Sequence, residues 1–326
     1  FKSMPERLEL ERLTREMASL SPLGIKIVPT AQEPADSVRM LEWVAAARPG
    51  EPRRIGFAMG EMGLASRVLS IAWGAPFTYA AMGAAVAPGQ TSVADLKDLY
   101  RAQHLTRSTR VLGVIGNPVA HSLSPHLHNP ALAARGIDAV YLPLRLETFP
   151  ELEHLIDPLK IDGLSVTIPF KEDALRFADE PDERSRSSGA ANTLVIERHR
   201  ARNRVVRAYN TDFDGVLGPL ARRKIEVRGL SAGIIGNGGA ARGAARALRD
   251  SGARVTLYYR NPDRGKPVAG ALGVDALPTG QLTAGRHQLI VNATPLGLHA
   301  GDPSPVPASV FDPGTWAFDM IYDPPG

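Results

Sequence analysis

A chain of 326 residues with 44% apolar and 22% charged residues has the material for about two domains, each with a core. It has no cysteine, which excludes disulfides, thiolate metal sites and cysteine nucleophiles, and no apolar run long enough for a membrane-spanning helix. The net charge of +4 is scattered, apart from RHRARNRVVR at 198–207, so small anionic substrates explain the arginines more economically than nucleic acid; the eight histidines show no metal-ligand spacing.

Residues 1–105 alternate between helical and strand patterns. Helix 5–20 leads to strand 24–29, helix 34–47 to strand 53–60, and helix 64–73 to strand 76–82 and helix 93–100. Such alternation predicts parallel pairing. Three strands are too few for a barrel of about eight, so the segment reads as part of something larger or as packing on the rest of the chain. Lys26 falls inside the first strand, Glu61 and Arg67 follow the second, and Gln90 follows the third. A desolvated lysine can form a Schiff base with a carbonyl, and an arginine fork suits a carboxylate. A lysine snorkelling at a strand edge and a solvated arginine account for the same residues. The start, FKSMPERLELERLTREM, has no signal-peptide core, and both it and the final DMIYDPPG are abrupt, as in a piece of a longer polypeptide.

GIKIVPTA, MGEMGLASR and APGQTSVADL resemble the last three strand units of type I 3-dehydroquinate dehydratase. The resemblance implies a lyase in which Lys26 forms the imine with 3-dehydroquinate while Arg67 and Gln90 hold the substrate. It sets the family's general-base histidine just before Phe1, and Val86 stands where a serine is common.

Residues 101–110 are polar and read as a linker. Strand 111–116 then enters the turn NPVAHSLSPHLHN, where Ser122 and Ser124 sit two apart in an extended segment and can donate to one carboxylate. Equally, Ser124 reads as a helix N-cap ahead of Pro125, a role that leaves Ser122 unused. Helix 125–135, strand 139–146 and helix 148–156 come next. The apolar run 164–168 is ended by Pro169, and Phe170, Lys171 and Glu172 open a helical stretch. One lysine thus reaches a strand end beside a helix start, a common place for chemistry and equally for an ordinary solvated lysine. Asn192 stands at the mouth of the strand in GAANTLVI, and Asp212 closes another in AYNTDFDG, with Asn210 and Asp214 as turn formers. The convergence of Lys171, Asn192 and Asp212 at strand ends is a site hypothesis.

Strand 231–236 runs into NGGAARGAARALRD. Gly236, Gly238 and Gly239, with Ala240, open an alanine-rich helix, the arrangement that brings backbone close to a pyrophosphate. The next strand ends at Arg260, followed by Asn261 and Arg264, where NAD binders usually carry an acid; arginines favour the 2′-phosphate of NADP. Strands 287–297 and 316–324 continue the sheet, with Asn292 and Thr294 at its carboxyl edge.

Residues 111–326 resemble shikimate dehydrogenase along almost their whole length, through GNPVAHSLSPHLHN, VTIPFKE, GAANT, NTD, GNGGAARG, NAT and DMIYDP in the family's order. The resemblance implies reversible NADPH-dependent reduction of 3-dehydroshikimate to shikimate. It makes Lys171 and Asp212 the catalytic pair and Ser122, Ser124, Thr167, Asn192 and Tyr322 substrate contacts. The family continues past this strand with a substrate-contacting glutamine. With the dehydratase-like segment, the chain resembles the bifunctional fusion of the shikimate pathway. The expected organisation is α/β throughout: a partial (β/α) barrel over 1–105, an α/β substrate domain over 106–218 and a Rossmann-type NADP-binding domain over 219–326. The expected partners are small molecules, without nucleic acid, membrane or metal. The expected compartment is the cytoplasm, or a plastid if a transit peptide precedes Phe1. Two alternatives compete: an NAD-dependent quinate/shikimate dehydrogenase, which calls for an acid at Arg260, and a metabolite-sensing regulator, which predicts loss of Lys171 and Asp212.

Overall fold

The computed structural model describes residues 2–83, 91–198, 204–299 and 301–321. The chain forms two compact units, residues 1–170 with 195–198 and residues 171–194 with 199–326. No helix among the described residues is long and apolar enough to cross a membrane.

The first unit begins with α1 (Arg7–Ala18), β1 (Gly24–Ile27), α2 (Ala35–Ala45), β2 (Arg53–Gly56) and α3 (Leu64–Leu69). β1 and β2 pair in parallel, with Lys26 opposite Ile55. Strand alternation sends Ile25 and Ile27 into a core with Met4, Leu10, Met40 and Trp43, and turns Lys26 to the exposed face. The strand expected at 76–82 is not one. Only an isolated bridge between Ala81 and Ser92 forms there, and Tyr79 packs against the rings of Phe57 and Phe77. Its apolar alternation is answered by aromatic contacts instead of a ladder. Helix 93–100 is present, with π-type winding over Asp95–Leu99.

The same unit continues with β3 (Arg110–Gly116), α4 (Ser124–Ala134), β4 (Ala139–Arg145), α5 (Glu153–Ile156) and β5 (Ile161–Val166). The strands lie parallel in the order β4-β3-β5. β4 carries Pro143, which an edge strand tolerates because its missing N–H costs no ladder bond there. Yet every residue of β4 before Arg145 is buried. The turn at Glu61–Gly63 and α3 pack against it, and Arg145 Nη1 donates to Glu61 at 2.9 Å. At α4 the N-cap is Leu123, not Ser124, which makes no capping bond; Ser122 Oγ accepts the Ser124 N–H at 3.3 Å. A serine hydroxyl reaches the amide two residues on more readily than Ser124 could serve a helix it already belongs to.

The second unit holds α6 (Lys171–Phe177), β6 (Glu180–Pro181), α7 (Glu183–Ser188), β7 (Thr193–Glu197, which straddles the boundary between units), β8 (Val205–Tyr209) and α8 (Asp212–Arg222). Next come β9 (Ser231–Ile235), α9 (Gly239–Asp250), β10 (Arg254–Tyr259), α10 (Pro262–Leu272), β11 (Asp275–Pro278), β12 (Leu289–Asn292) and β13 (Trp316–Asp319). The last five strands form one parallel sheet, β11-β10-β9-β12-β13. Its order reverses between β9 and β12, so the glycine loop after β9 and the Asn292 turn after β12 flank the switch point where such sheets bind ligands. Ile234, Leu257, Leu289 and Val291 meet the alanine face of α9 and Leu248 in the core.

At the opposite, amino edge of this sheet, His287 is buried. Its Nδ1 lies 2.9 Å from Ser231 Oγ and its Nε2 2.8 Å from the Tyr258 hydroxyl. Burial, helped by the nearby Arg286 charge, lowers its pKa from 6.5 to about 4. Between those values the unfolded chain binds the proton and the folded one does not. Stability present above pH 6.5 is therefore lost as pH falls toward 4. The expected loss is about 3 kcal/mol, absent in His287→Gln, and urea-denaturation midpoints of both proteins across that range check it.

Candidate active site

Three turns of the second unit bring its polar groups together. Lys171, the first residue of α6, sets Nζ 2.5 Å from Asp212 Oδ2, with the two side chains 14% and 13% exposed. Asp212 is the first residue of α8, not the end of a strand: the ladder stops at Tyr209, and Asn210 and Thr211 make the turn. A carboxylate at a helix start is favoured by the helix dipole. Asp212 Oδ1 accepts from Asn192 Nδ2 at 2.8 Å, and Asn192 Oδ1 accepts the Thr211 amide at 3.0 Å, so the asparagine is held at both ends. Its loop is tied back by Ala191 N–H to the Lys171 carbonyl (2.8 Å) and Asn192 N–H to the Tyr209 carbonyl (3.0 Å).

Asn210 proves more than a turn former. It is 1% exposed, accepts the Asp212 N–H at 3.0 Å, and donates to Ser188 Oγ at 3.0 Å and the Ala190 carbonyl at 2.9 Å. It therefore locks the aspartate's turn to the loop that bears Asn192. Reading NTD as a single constellation would have revealed it. Asp212 occupies one ammonium donor, and no other partner of Nζ occurs among the described residues. The lysine can present its remaining N–H bonds to an oxygen that also touches the aspartate.

The glycine loop fits a dinucleotide. Gly236 has φ +116°, and a β-carbon there would lie 2.8 Å from the Ala293 carbonyl oxygen, so only glycine makes this turn. Gly238, the N-cap of α9, has no side-chain cap, and a β-carbon there would meet nothing within 4 Å. The first amides of this twelve-residue helix, Gly239 and Ala240 among them, have no side-chain cap, the arrangement that suits a phosphate. Arg260 and Arg264 are exposed and form no ion pair among the described residues, while Asn261 caps α10 through the Asp263 amide at 2.8 Å. Asn292 is buried, with its amide group on Asp319 and the Leu296 carbonyl and its oxygen on Thr294. It shapes the turn that presents Thr294.

The remaining described candidates lie in the first unit. Ser122, Ser124 and Thr167 are half-buried. Thr167 is held by its amide to the Ile115 carbonyl at 3.0 Å. Lys26 Nζ sits 3.8 Å above the Tyr79 ring. Arg67 is 2% exposed, stacks 4.1 Å from the Phe57 ring and donates to the Tyr79 carbonyl at 2.9 Å. Among the described residues it has no carboxylate partner, and desolvation lowers its pKa to about 10. Gln90 and Tyr322 lie outside the described residues, as does Val86.

A lysine–aspartate pair at turns that follow parallel strands, beside an open glycine loop at a topological switch point, defines a dinucleotide-linked dehydrogenase. The family profile of the shikimate dehydrogenase substrate binding domain matches residues 114–194, and that of type I 3-dehydroquinase matches residues 1–107. A shikimate dehydrogenase (NADP(+)) of Methanothrix thermoacetophila is 37% identical over 218 residues, covering 65% of this chain and 78% of the relative. The chain belongs to the shikimate dehydrogenase family. The chloroplastic bifunctional 3-dehydroquinate dehydratase/shikimate dehydrogenase of Arabidopsis thaliana is 29% identical across 99% of this chain, which spans 56% of that relative's length. The shikimate 5-dehydrogenase of Thermus thermophilus, solved with NADP(H) and shikimate, matches at TM-score 0.57 and 33% identity over 66% of this chain and 79% of that one.

Replacing Asn210 with alanine leaves the buried turn without an acceptor for the Asp212 amide and removes one donor each from Ser188 Oγ and the Ala190 carbonyl. A loss of about 1–3 kcal/mol in urea-denaturation stability is expected.

Proposed function

We propose that this chain is the shikimate dehydrogenase part of a bifunctional enzyme, reducing 3-dehydroshikimate to shikimate with NADPH, and that the Lys171–Asp212 pair carries the chemistry. The observation behind this reading is their 2.5 Å contact, held in place by Asn192 and Asn210. Gly236, Gly238, Gly239 and Ala240 would hold the pyrophosphate of NADPH, with Arg260, Asn261 and Arg264 at its 2′-phosphate and Thr294 on the other side of the switch point. Bound there, NADPH supplies the hydride. Lys171 hydrogen-bonds the ketone oxygen and delivers the proton that makes it a hydroxyl. Asp212 accepts from the same hydroxyl and keeps the ammonium aimed, and in the reverse direction the lysine takes the proton back. Asn192 orients Asp212 and contributes to substrate binding. Ser122, Ser124, Thr167 and Tyr322 donate to the substrate's carboxylate and ring hydroxyls, which fixes the face that is reduced.

The dehydratase reading of residues 1–107 gives Lys26 the Schiff base with 3-dehydroquinate and Arg67 and Gln90 the substrate contacts. A buried arginine with no acid beside it among the described residues suits a carboxylate ligand. Such a protein makes in one half what the other reduces. Its compartment on this reading is the cytoplasm, or a plastid like the one in the Arabidopsis relative's name.

NADPH oxidation with 3-dehydroshikimate, followed at the nicotinamide absorbance, tests the proposal. Lys171→Ala is expected to lower kcat by about 10²–10⁴-fold, and equal rates for both proteins would remove the assignment. Arg260→Asp is expected to cut the preference for NADPH over NADH by about ten- to a hundredfold, measured as the ratio of kcat/KM values. A wild-type preference for NADH would favour the quinate/shikimate alternative instead.

A further inference from the structure

The first turns of α9 do more than present amides. The backbone at Gly239 lies along the stem of Lys171: a β-carbon there would come 2.6 Å from Lys171 Cβ and 2.9 Å from its Cδ. Arg242, one turn on, reaches Glu172, the residue next to the lysine, with Nη2 3.3 Å from Oε2. Its other terminal nitrogen, Nη1, would lie 3.2 Å from a β-carbon on Gly189, which ends α7 and begins the loop that carries Asn192. Gly243 faces Asp212, where a β-carbon would be 3.0 Å from Asp212 Cβ. One stretch of helix therefore touches all three polar turns of the site. The Arg242 and Glu172 side chains are 17% and 40% exposed. An ion pair this open to solvent adds little to stability, so its effect is on geometry.

We infer that Arg242 and Glu172 are positioning residues that tie Lys171 to the dinucleotide-binding helix, so that occupancy of the glycine loop and placement of the lysine ammonium are coupled. The inference rests on the dehydrogenase reading above. Gly239 has no side chain to absorb a displacement, so a small shift of the helix start is passed directly to the lysine stem. Coupling of this kind is reciprocal: a ligand that grips Lys171 alters dinucleotide affinity by the same factor that the dinucleotide alters the ligand's.

Wild type, Arg242→Gln, Arg242→Lys and Glu172→Gln are compared in three ways. These are steady-state kinetics, calorimetric titration with NADP+, and mass-spectrometric rates of Lys171 labelling by an amine-reactive reagent with and without NADP+. In Arg242→Gln and Glu172→Gln, kcat is expected to fall about ten- to a hundredfold, with the KM for 3-dehydroshikimate changed by less than about twofold. NADP+ is expected to change Lys171 labelling in wild type and in Arg242→Lys, which keeps the charge, and to leave it unchanged in the two glutamine variants. Wild-type kcat together with NADP+-sensitive labelling in either folded glutamine variant would overturn the coupling. If Arg242→Gln does not fold, Glu172→Gln carries the same decision. A wild-type protein that binds NADP+ but oxidises no NADPH with 3-dehydroshikimate would instead remove the dehydrogenase reading, an outcome the labelling rates keep distinct.

Discussion

The ion pair between Lys171 and Asp212 is the constraint around which the second unit is arranged. Both side chains are largely withdrawn from water, and a charge so placed is costly without its partner. The partners come from turns 41 residues apart in sequence. Each turn is pinned by backbone bonds that leave little freedom: the lysine's own carbonyl holds the Asn192 loop, and Asn210 holds the aspartate's amide. Gly239 and Gly243 of α9 lie against this assembly, where any side chain would stand in the way. The geometry of this ion pair and the packing of α9 are thus one requirement expressed twice.

Some of this is legible in the residues. The glycine loop, the strands on either side of it and the placement of Lys171 after a proline-ended strand all follow from local chemistry that tertiary structure only reinforces. Asp212 can be recognised from its neighbours, but its setting cannot. An Asx residue after a strand reads as a turn former, and whether it also starts a helix depends on what α9 leaves room for. Asn210 escapes notice for a related reason, since burial of a small polar side chain is a property of the surrounding loops, not of its own sequence neighbours.

Elsewhere the pattern misleads or falls silent. Residues 76–82 alternate as a strand should, but Tyr79 packs on Phe57, Phe77 and Met82 stay exposed, and no ladder forms. Helix α10 carries Pro262, Pro267, Gly265 and Gly270, a composition that reads as a loop. It forms because Pro262 fits a first helical position, Asn261 caps it, and Val268, Ala269 and Leu272 find the core. Likewise, which serine of the SLSP segment serves the helix start turns on a one-residue shift in where α4 begins.

The cover over β4 bears on how the protein can be taken apart. Val140, Leu142 and Leu144 are fully or almost fully hidden, and part of what hides this outermost strand is the turn and short helix around residues 61–69. Severing the polypeptide at the polar stretch near residue 105 would strip this strand of that cover. It would lay bare a flat, greasy margin of sheet of the sort that recruits other chains. In this protein the dehydratase-like segment serves its neighbour as a wall.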